Sequence, residues 1–197
     1  PTLVVTDPLV LSSLPVRELR CGIAECVKHA VIRDESLFSF IADNLQNLLD
    51  LSVDEMVELV KRNVEIKAEV VTEDEKERGV RAHLNFGHTF GHAIESAGGY
   101  GSILHGEAVG MGMMSAFELS HLLDLCPGQD VERVRRHFEA VGMPTDIRAL
   151  SDASWTAERL ISHMGRDKKT EDGRLTFILA RGIGEAFISR DVDQTVL

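Results

Sequence analysis

Apolar residues recur every three or four positions over most of this chain, the spacing of the buried face of an amphipathic helix. The pattern predicts helices over residues 17–33, 34–49, 53–71, 131–141 and 155–164, and a further helix from His105 to about residue 123. Ser52 followed by Glu55 forms a capping-box signature at the start of the third helix. The sequence therefore predicts a mainly α-helical fold.

Two β-rich runs stand near the end of the chain, at residues 174–180 and 185–190, with the turn-forming sequence RGIG between them. They predict a small β-hairpin near the C-terminus. The 197 residues, of which 44% are hydrophobic, are sufficient for a core of ordinary size, and we predict a single helical domain over residues 1–197.

The charge of the chain excludes some classes of partner. The chain has 21 basic and 32 acidic residues and a formal charge of −11, which argues against a nucleic-acid surface and against binding to anionic membranes. No apolar run has the length of a membrane span, and we expect no signal peptide, because no basic start followed by an apolar middle is seen. The 3 cysteines lack metal or redox spacing, which favours the reducing cytoplasm. The first residue is Pro1 rather than Met, so we expect a fragment of a longer protein.

The candidate chemistry is concentrated in residues 84–108, LNFGHTFGHAIESAGGYGSILHGEA. His88 and His92 are four residues apart, which places both on one face of a helix, and His105 follows a Gly-rich turn that lets the chain return. An isolated HxxxH pair is more often two half-buried histidines that are hydrogen-bonded to the backbone than a pair of metal ligands. Three histidines among small residues instead favour a catalytic metal site with three protein ligands and one open position.

Cations from separate elements accompany this cluster in an acidic protein. If they converge, they would bind a phosphate or a carboxylate through charge-assisted hydrogen bonds. Some have simpler interpretations, since Lys28 is spaced for a surface salt bridge with Glu25, and Lys67 suits the end of a helix. The candidate cations are Lys28, Lys67, Arg81, Lys168 and Lys169.

Five long motifs stand out in the sequence: GIAECVKH at 22–29, EIKAEVV at 65–71, EKERGVRAHLNFGHTFGHAIE at 75–95, GYGSILHGEAVGMGM at 99–113 and DKKTEDGRL at 167–175. Together they closely resemble the 3-dehydroquinate synthase family. The resemblance covers only the C-terminal, mostly helical half of that family. The N-terminal Rossmann-like NAD-binding domain is expected to be absent from this chain, and the fragment is expected to be inactive without it.

The resemblance implies roles for particular residues. The implied metal ligands are Glu25, His88 and His105, with zinc, or another divalent metal such as cobalt, as the ion. His92 and Glu77 would be the catalytic, proton-transferring residues. The implied substrate-binding residues are Lys28, Lys67, Arg81, Asn85, Lys168 and Lys169, one of the last two facing the site. The implied NAD-contacting segment is Val10, Leu11, Ser12 and Ser13.

The reaction implied by the resemblance belongs to the shikimate pathway of aromatic amino acid biosynthesis. A phosphorylated sugar acid, 3-deoxy-D-arabino-heptulosonate 7-phosphate, would be converted to 3-dehydroquinate and phosphate, with NAD reduced and regenerated in each turnover. The net reaction is that of a carbon–oxygen lyase, and a cytoplasmic homodimer is expected. The alternatives are another sugar-phosphate cyclase, a metal-dependent polyol dehydrogenase of the same superfamily, and a helical metal-binding or assembly module without chemistry.

Overall fold

The computed structural model describes residues 2–76, 79–98, 103–149, 155–167, 175–193 and 196–197, without the side chains of residues 166 and 167. The helices in these ranges are α1 (Val16–Arg33), α2 (Glu35–Asp43), α3 (Leu45–Leu49), α4 (Val53–Glu73), α5 (His88–Gly98), α6 (His105–Leu122), α7 (Gly128–Val141) and α8 (Ala157–Asp167). Short 3-10 helices lie at Pro8–Ser13, Val80–Asn85 and Ile147–Ala149. No helix in the described ranges is long and apolar enough to cross a lipid bilayer.

Strands β1 (Phe177–Ala180) and β2 (Ala186–Ser189) form an antiparallel hairpin, in which Phe177 pairs with Ser189. The backbone N–H of Ala180 donates to the Ser120 hydroxyl of α6 at 3.1 Å, which ties the hairpin to the helical core. The predicted fold, mainly α-helical with a small hairpin near the C-terminus, is confirmed.

One predicted helix is divided in two. Residues 34–49 form α2 and α3, which meet at Asn44, whose backbone leaves helical geometry at φ −110° and ψ 17°. The Asn44 side-chain amide donates to the Phe40 carbonyl at 2.9 Å, a bond that competes with helix continuation. The start of α4 also differs from expectation, because the Ser52 hydroxyl donates to the Glu55 carboxylate and makes no capping bond to backbone.

Helix α6 lies at the centre of the fold and is buried along most of its length. It crosses α5 at very close range: a Cβ on Gly112 would lie 2.1 Å from the Gly87 carbonyl oxygen and 2.7 Å from the Gly91 nitrogen. Only glycine permits such contact between two backbones. The crossing brings the first two turns of α5, which carry His88 and His92, beside the start of α6, where His105 is the first residue.

Candidate metal centre

Three potential metal ligands converge from three helices. Glu25 of α1, His88 of α5 and His105 of α6 each offer one ligand atom, and these atoms all lie within 4.8 Å of one another. The His88 and His105 ring centroids are 5.4 Å apart, and His105 Nε2 is 3.9 Å from Glu25 Oε1. A carboxylate with two imidazoles is a ligand set that suits zinc and leaves a coordination position open for substrate.

The carboxylate of Glu25 fits a cation at this point. Its Oε2 accepts a hydrogen bond from Lys28 Nζ at 2.6 Å, whereas its buried Oε1 has no hydrogen-bond partner among the described residues. A buried carboxylate oxygen without a partner is costly, and a divalent ion between it and the two imidazoles would satisfy it.

His88 is held in a form that suits coordination. Its Nδ1 lies 3.2 Å from the Phe86 carbonyl oxygen, which only accepts, so Nδ1 carries the proton and Nε2 keeps its lone pair. Burial, followed by the positive charge of Lys28, lowers the pKa of His88 to about 4. The imidazole is therefore neutral at physiological pH, as a metal ligand must be.

The Glu25 carboxylate is ionised beside these histidines. Burial by itself would raise the pKa of Glu25, but the Lys28 ammonium and, after it, His88 and His105 outweigh burial, so the pKa lies below its usual value. Lys28 is itself buried, with 5% of its surface exposed. Lys28 thus brings a fixed positive charge to the edge of the ligand cluster.

His92 lies beside the three converging ligand atoms and is not one of them. It follows His88 by one turn of α5, and its ring centroid is 5.3 Å from that of His88 and 6.1 Å from that of His105. A histidine next to a metal centre is suited to proton transfer to or from a bound molecule.

The first turn of α6 is fixed against one face of α1, residue by residue. Arg17, Cys21 and Glu25 are four apart along α1, and they face Glu107, Gly106 and His105 respectively. Arg17 donates to both carboxylate oxygens of Glu107, at 2.6 and 2.7 Å. A Cβ on Gly106 would lie 2.4 Å from Cys21 Cβ. These contacts determine how far His105 stands from Glu25.

Sequence reasoning gave no role to Arg17 or Glu107. Glu107 also accepts a hydrogen bond from the Leu104 backbone N–H at 3.0 Å, at the start of α6. The sequence did contain a signal for Glu107. It stands three residues after Leu104, the residue that precedes α6, and a Glu at that position often makes a capping interaction. Its partner Arg17 is 90 residues away in the chain and has no sequence signal.

The proposed substrate-binding residues lie on several elements. Lys28 adjoins the ligand cluster. The exposed Asn85 is on the 3-10 helix Val80–Asn85 that leads into α5, and Arg81 of the same helix donates from Nη1 to the Glu75 carbonyl at 3.1 Å. Lys67 is exposed on α4. Three predicted residues lie outside the described residues: Glu77, Lys168 and Lys169.

Lys67 is within electrostatic range of α1. Burial lowers the pKa of the His29 imidazole, and the positive charges of Lys28 and Lys67 lower it further. A hydrogen bond between His29 Nδ1 and Asn63 Oδ1, at 2.8 Å, has the opposite effect and raises the pKa. The hydrogen bond joins α1 to α4 one turn before Lys67.

The predicted NAD-contacting residues Val10, Leu11, Ser12 and Ser13 lie on the 3-10 helix Pro8–Ser13. This helix packs against the start of α4, around a small cavity that Ser12 and Val53 help to line. Leu11 packs against the core, whereas 66% of Val10 is exposed. The Ser12 and Ser13 hydroxyls donate to the carbonyls of Leu9 and Val10.

Comparisons with known proteins give a consistent family likeness. Residues 22–170 match the family model described as 3-dehydroquinate synthase C-terminal. The chain is 51% identical to the 3-dehydroquinate synthase of Caulobacter vibrioides, over 100% of the chain and 54% of that protein. It is 48% identical to the enzyme of the same name from Rhodospirillum rubrum, over 98% of the chain and 51% of that protein. The chain thus spans about half the length of these curated relatives.

Solved structures share the fold. A 2-epi-5-epi-valiolone synthase from Streptomyces hygroscopicus, with NAD+ and Zn2+ bound, is 28% identical with a TM-score of 0.85, over 96% of this chain and 52% of that one. A 2-deoxy-scyllo-inosose synthase, in complex with carbaglucose-6-phosphate, NAD+ and Co2+, is 26% identical with a TM-score of 0.79, over 96% of this chain and 53% of that one.

Proposed function

The chain belongs to the 3-dehydroquinate synthase C-terminal family, and on that premise we propose that it is the metal- and substrate-binding part of a 3-dehydroquinate synthase. The complete protein would convert 3-deoxy-D-arabino-heptulosonate 7-phosphate to 3-dehydroquinate and phosphate, as a carbon–oxygen lyase of the shikimate pathway. NAD would be regenerated in each turnover. The relatives with this name, up to 51% identical, support the proposal over the cyclases of other names at 26–28%.

The observation that carries the proposal is the convergence of Glu25, His88 and His105 with Lys28 beside them. We assign the metal to these three ligands. A divalent ion there would act as a Lewis acid on a substrate oxygen. Zinc is the proposed ion and cobalt the alternative, because the structural relatives hold NAD+ with Zn2+ or Co2+.

The side chains around the metal would bind substrate and transfer protons. Lys28, with its charge fixed at the cluster, and Arg81, Asn85 and Lys67 would hold the phosphate and carboxylate of the substrate through charge-assisted and amide hydrogen bonds. His92, next to both ligand histidines, would exchange a proton with the bound substrate. Glu77 and one lysine of the 168/169 pair complete the proposed set.

The NAD-binding half of the relatives would lie against the exposed segment that includes Val10 and Ser13. We propose that this chain functions with such a domain, in a cytoplasmic homodimer. The chain has a formal charge of −11, which would repel an anionic substrate. The cations near the metal would therefore supply the local electrostatic attraction that the substrate needs.

The test uses the complete protein that contains this chain, supplied with NAD, zinc and the heptulosonate phosphate. Phosphate release and 3-dehydroquinate formation are measured while NADH absorbance is followed. We expect both products in equal amounts with no net NADH. Accumulation of NADH from a polyol, without phosphate release, would instead identify a dehydrogenase.

A further inference from the structure

One carboxylate near the metal centre has no role in the function proposed above. Glu95 of α5 places its Oε2 at 3.1 Å from Nδ1 of His105, the first residue of α6. The side chains are half-buried, with 33% of Glu95 and 49% of His105 exposed. This contact joins the two helices directly behind one of the three converging ligands.

Glu95 shares a helix face with the other histidines of the site. His88, His92 and Glu95 are separated by four and three residues along α5, so their side chains lie on one face. That face contributes one proposed ligand, one proposed proton-transfer residue and the carboxylate that reaches His105. The sequence motif HTFGHAIE, which ends at Glu95, therefore carries a third polar group toward the same place.

The contact determines which nitrogen of His105 is available to a metal. A carboxylate only accepts hydrogen bonds, so His105 Nδ1 carries the proton and Nε2 keeps its lone pair. Nε2 is also the atom that approaches Glu25 Oε1, at 3.9 Å. His88 is held in the same tautomer by a neutral backbone carbonyl, that of Phe86. A carboxylate is the stronger partner and makes the imidazole a more basic ligand.

We propose that Glu95 is a positioning residue of the metal centre, which holds His105 in the orientation and tautomer that present Nε2 to the ion. This inference rests on the metal site of the proposed function. It predicts that Glu95 increases divalent-metal affinity without being a ligand. If Glu95 instead only stabilised a protonated His105, its removal would increase the metal affinity, because the proton on Nε2 competes with the metal for that nitrogen.

The experiment measures the Zn2+ affinity of the complete protein that contains this chain, by competition with a chromophoric chelator. Loss of such an outer carboxylate typically costs about 10- to 100-fold in metal affinity, so we expect a loss in that range for Glu95→Ala. Glu95→Gln keeps an acceptor and should lose less. Glu139→Gln, a matched charge change at an exposed position on α7, should leave the affinity unchanged. The visible spectrum of bound Co2+ should shift in the Glu95 variants and not in the control.

A double-mutant cycle separates this role from a general effect on the fold. If Glu95 acts through His105, Glu95→Ala should cost no further affinity when His105 is already Ala. Unchanged Zn2+ affinity in Glu95→Ala and Glu95→Gln, or an equal loss in the His105→Ala background, would overturn the inference while leaving the metal site intact. Zn2+ binding that is insensitive to Glu25→Ala would overturn the metal site itself, and the role of Glu95 with it.

Discussion

At the scale of single residues, His92 and His105 have the same ring but different surroundings. His105 is one of the three side chains whose ligand atoms lie within 4.8 Å of one another, together with Glu25 and His88. His92 lies beside that group on the same helix face as His88. The two histidines therefore allow a matched test of the ligand assignment.

We expect His105→Ala to lose tight Zn2+ binding, and Glu25→Ala to do the same, since each removes one of the three proposed ligands. We expect His92→Ala to keep its metal content and, in the complete protein, to lower turnover by about 100-fold or more through loss of proton transfer. Metal content by atomic spectroscopy and steady-state rates check both. If the His92→Ala protein lost its metal and the His105→Ala protein kept it, the ligands would be His88 and His92 of the HxxxH pair.

At the scale of elements, the position of the ligands depends on how α6 meets its neighbours. The Arg17–Glu107 pair joins α1 to the first turn of α6, and the side chain of Glu107 is only 10% exposed. Burial alone would raise the pKa of Glu107, but the hydrogen bonds from Arg17 and the Leu104 backbone keep it below its usual value. The carboxylate is thus ionised, and both of its oxygens accept hydrogen bonds.

Glu107→Gln should reduce the free energy of unfolding by about 1–3 kcal/mol, because it removes a buried charged acceptor from two charge-assisted hydrogen bonds. It should also weaken Zn2+ binding, since His105 lies in the turn that Glu107 holds. Urea unfolding and metal titration measure the two effects. Glu118→Gln on the same helix is the control, and the loss of its exposed pair with Arg135 should cost well under about 1 kcal/mol.

Two glycines give opposite predictions for the same substitution. Gly112→Ala puts a Cβ 2.1 Å from the Gly87 carbonyl oxygen, so α5 and α6 must separate and we expect loss of several kcal/mol or failure to fold. Gly22 is exposed on α1 with nothing within 4 Å of its would-be Cβ, so Gly22→Ala should stabilise by about 0.5–1 kcal/mol. Thermal unfolding compares them, and equal effects would contradict the close crossing of α5 and α6.

At the scale of the whole molecule, pH acts on stability through buried histidines. His137 of α7 is 5% exposed and packs against the Phe38 ring with centroids 5.3 Å apart. Burial lowers its pKa to about 4, and among the described residues its Nε2 has no hydrogen-bond partner. The folded chain therefore holds His137 neutral, whereas the unfolded chain protonates it near pH 6.5.

Between these two values the unfolded state binds more protons than the folded state, so stability decreases as pH falls from about 6.5 to about 4. His137 would contribute about 3 kcal/mol to that decrease at most. His137→Phe should flatten this part of the pH profile, because phenylalanine does not titrate. Urea unfolding at a series of pH values measures the slope for both proteins. An unchanged slope in the variant would place the pH dependence on other groups.

The sequence by itself determined the classes of element and the chemistry available. Helical spacing and the β-rich runs around RGIG gave the helices and the hairpin, because these follow from local burial and turn propensity. The division of the helix at Asn44 was not predicted. It depends on the side-chain hydrogen bond from Asn44 to the Phe40 carbonyl, and a continuous and a divided helix have a similar spacing of apolar residues. The long motifs of the resemblance identified the family.

Only the tertiary structure decided which residues meet. Glu25 lies 80 positions before His105 in the numbering, and nothing in their spacing indicates that Oε1 and Nε2 approach to 3.9 Å. That approach depends on the packing of Gly106 on Cys21 and on the Arg17–Glu107 pair. The contact of Glu95 with His105 has the same origin. Side chains of distant residues are brought within bonding distance by helix packing, which a one-dimensional pattern of polar and apolar positions does not encode.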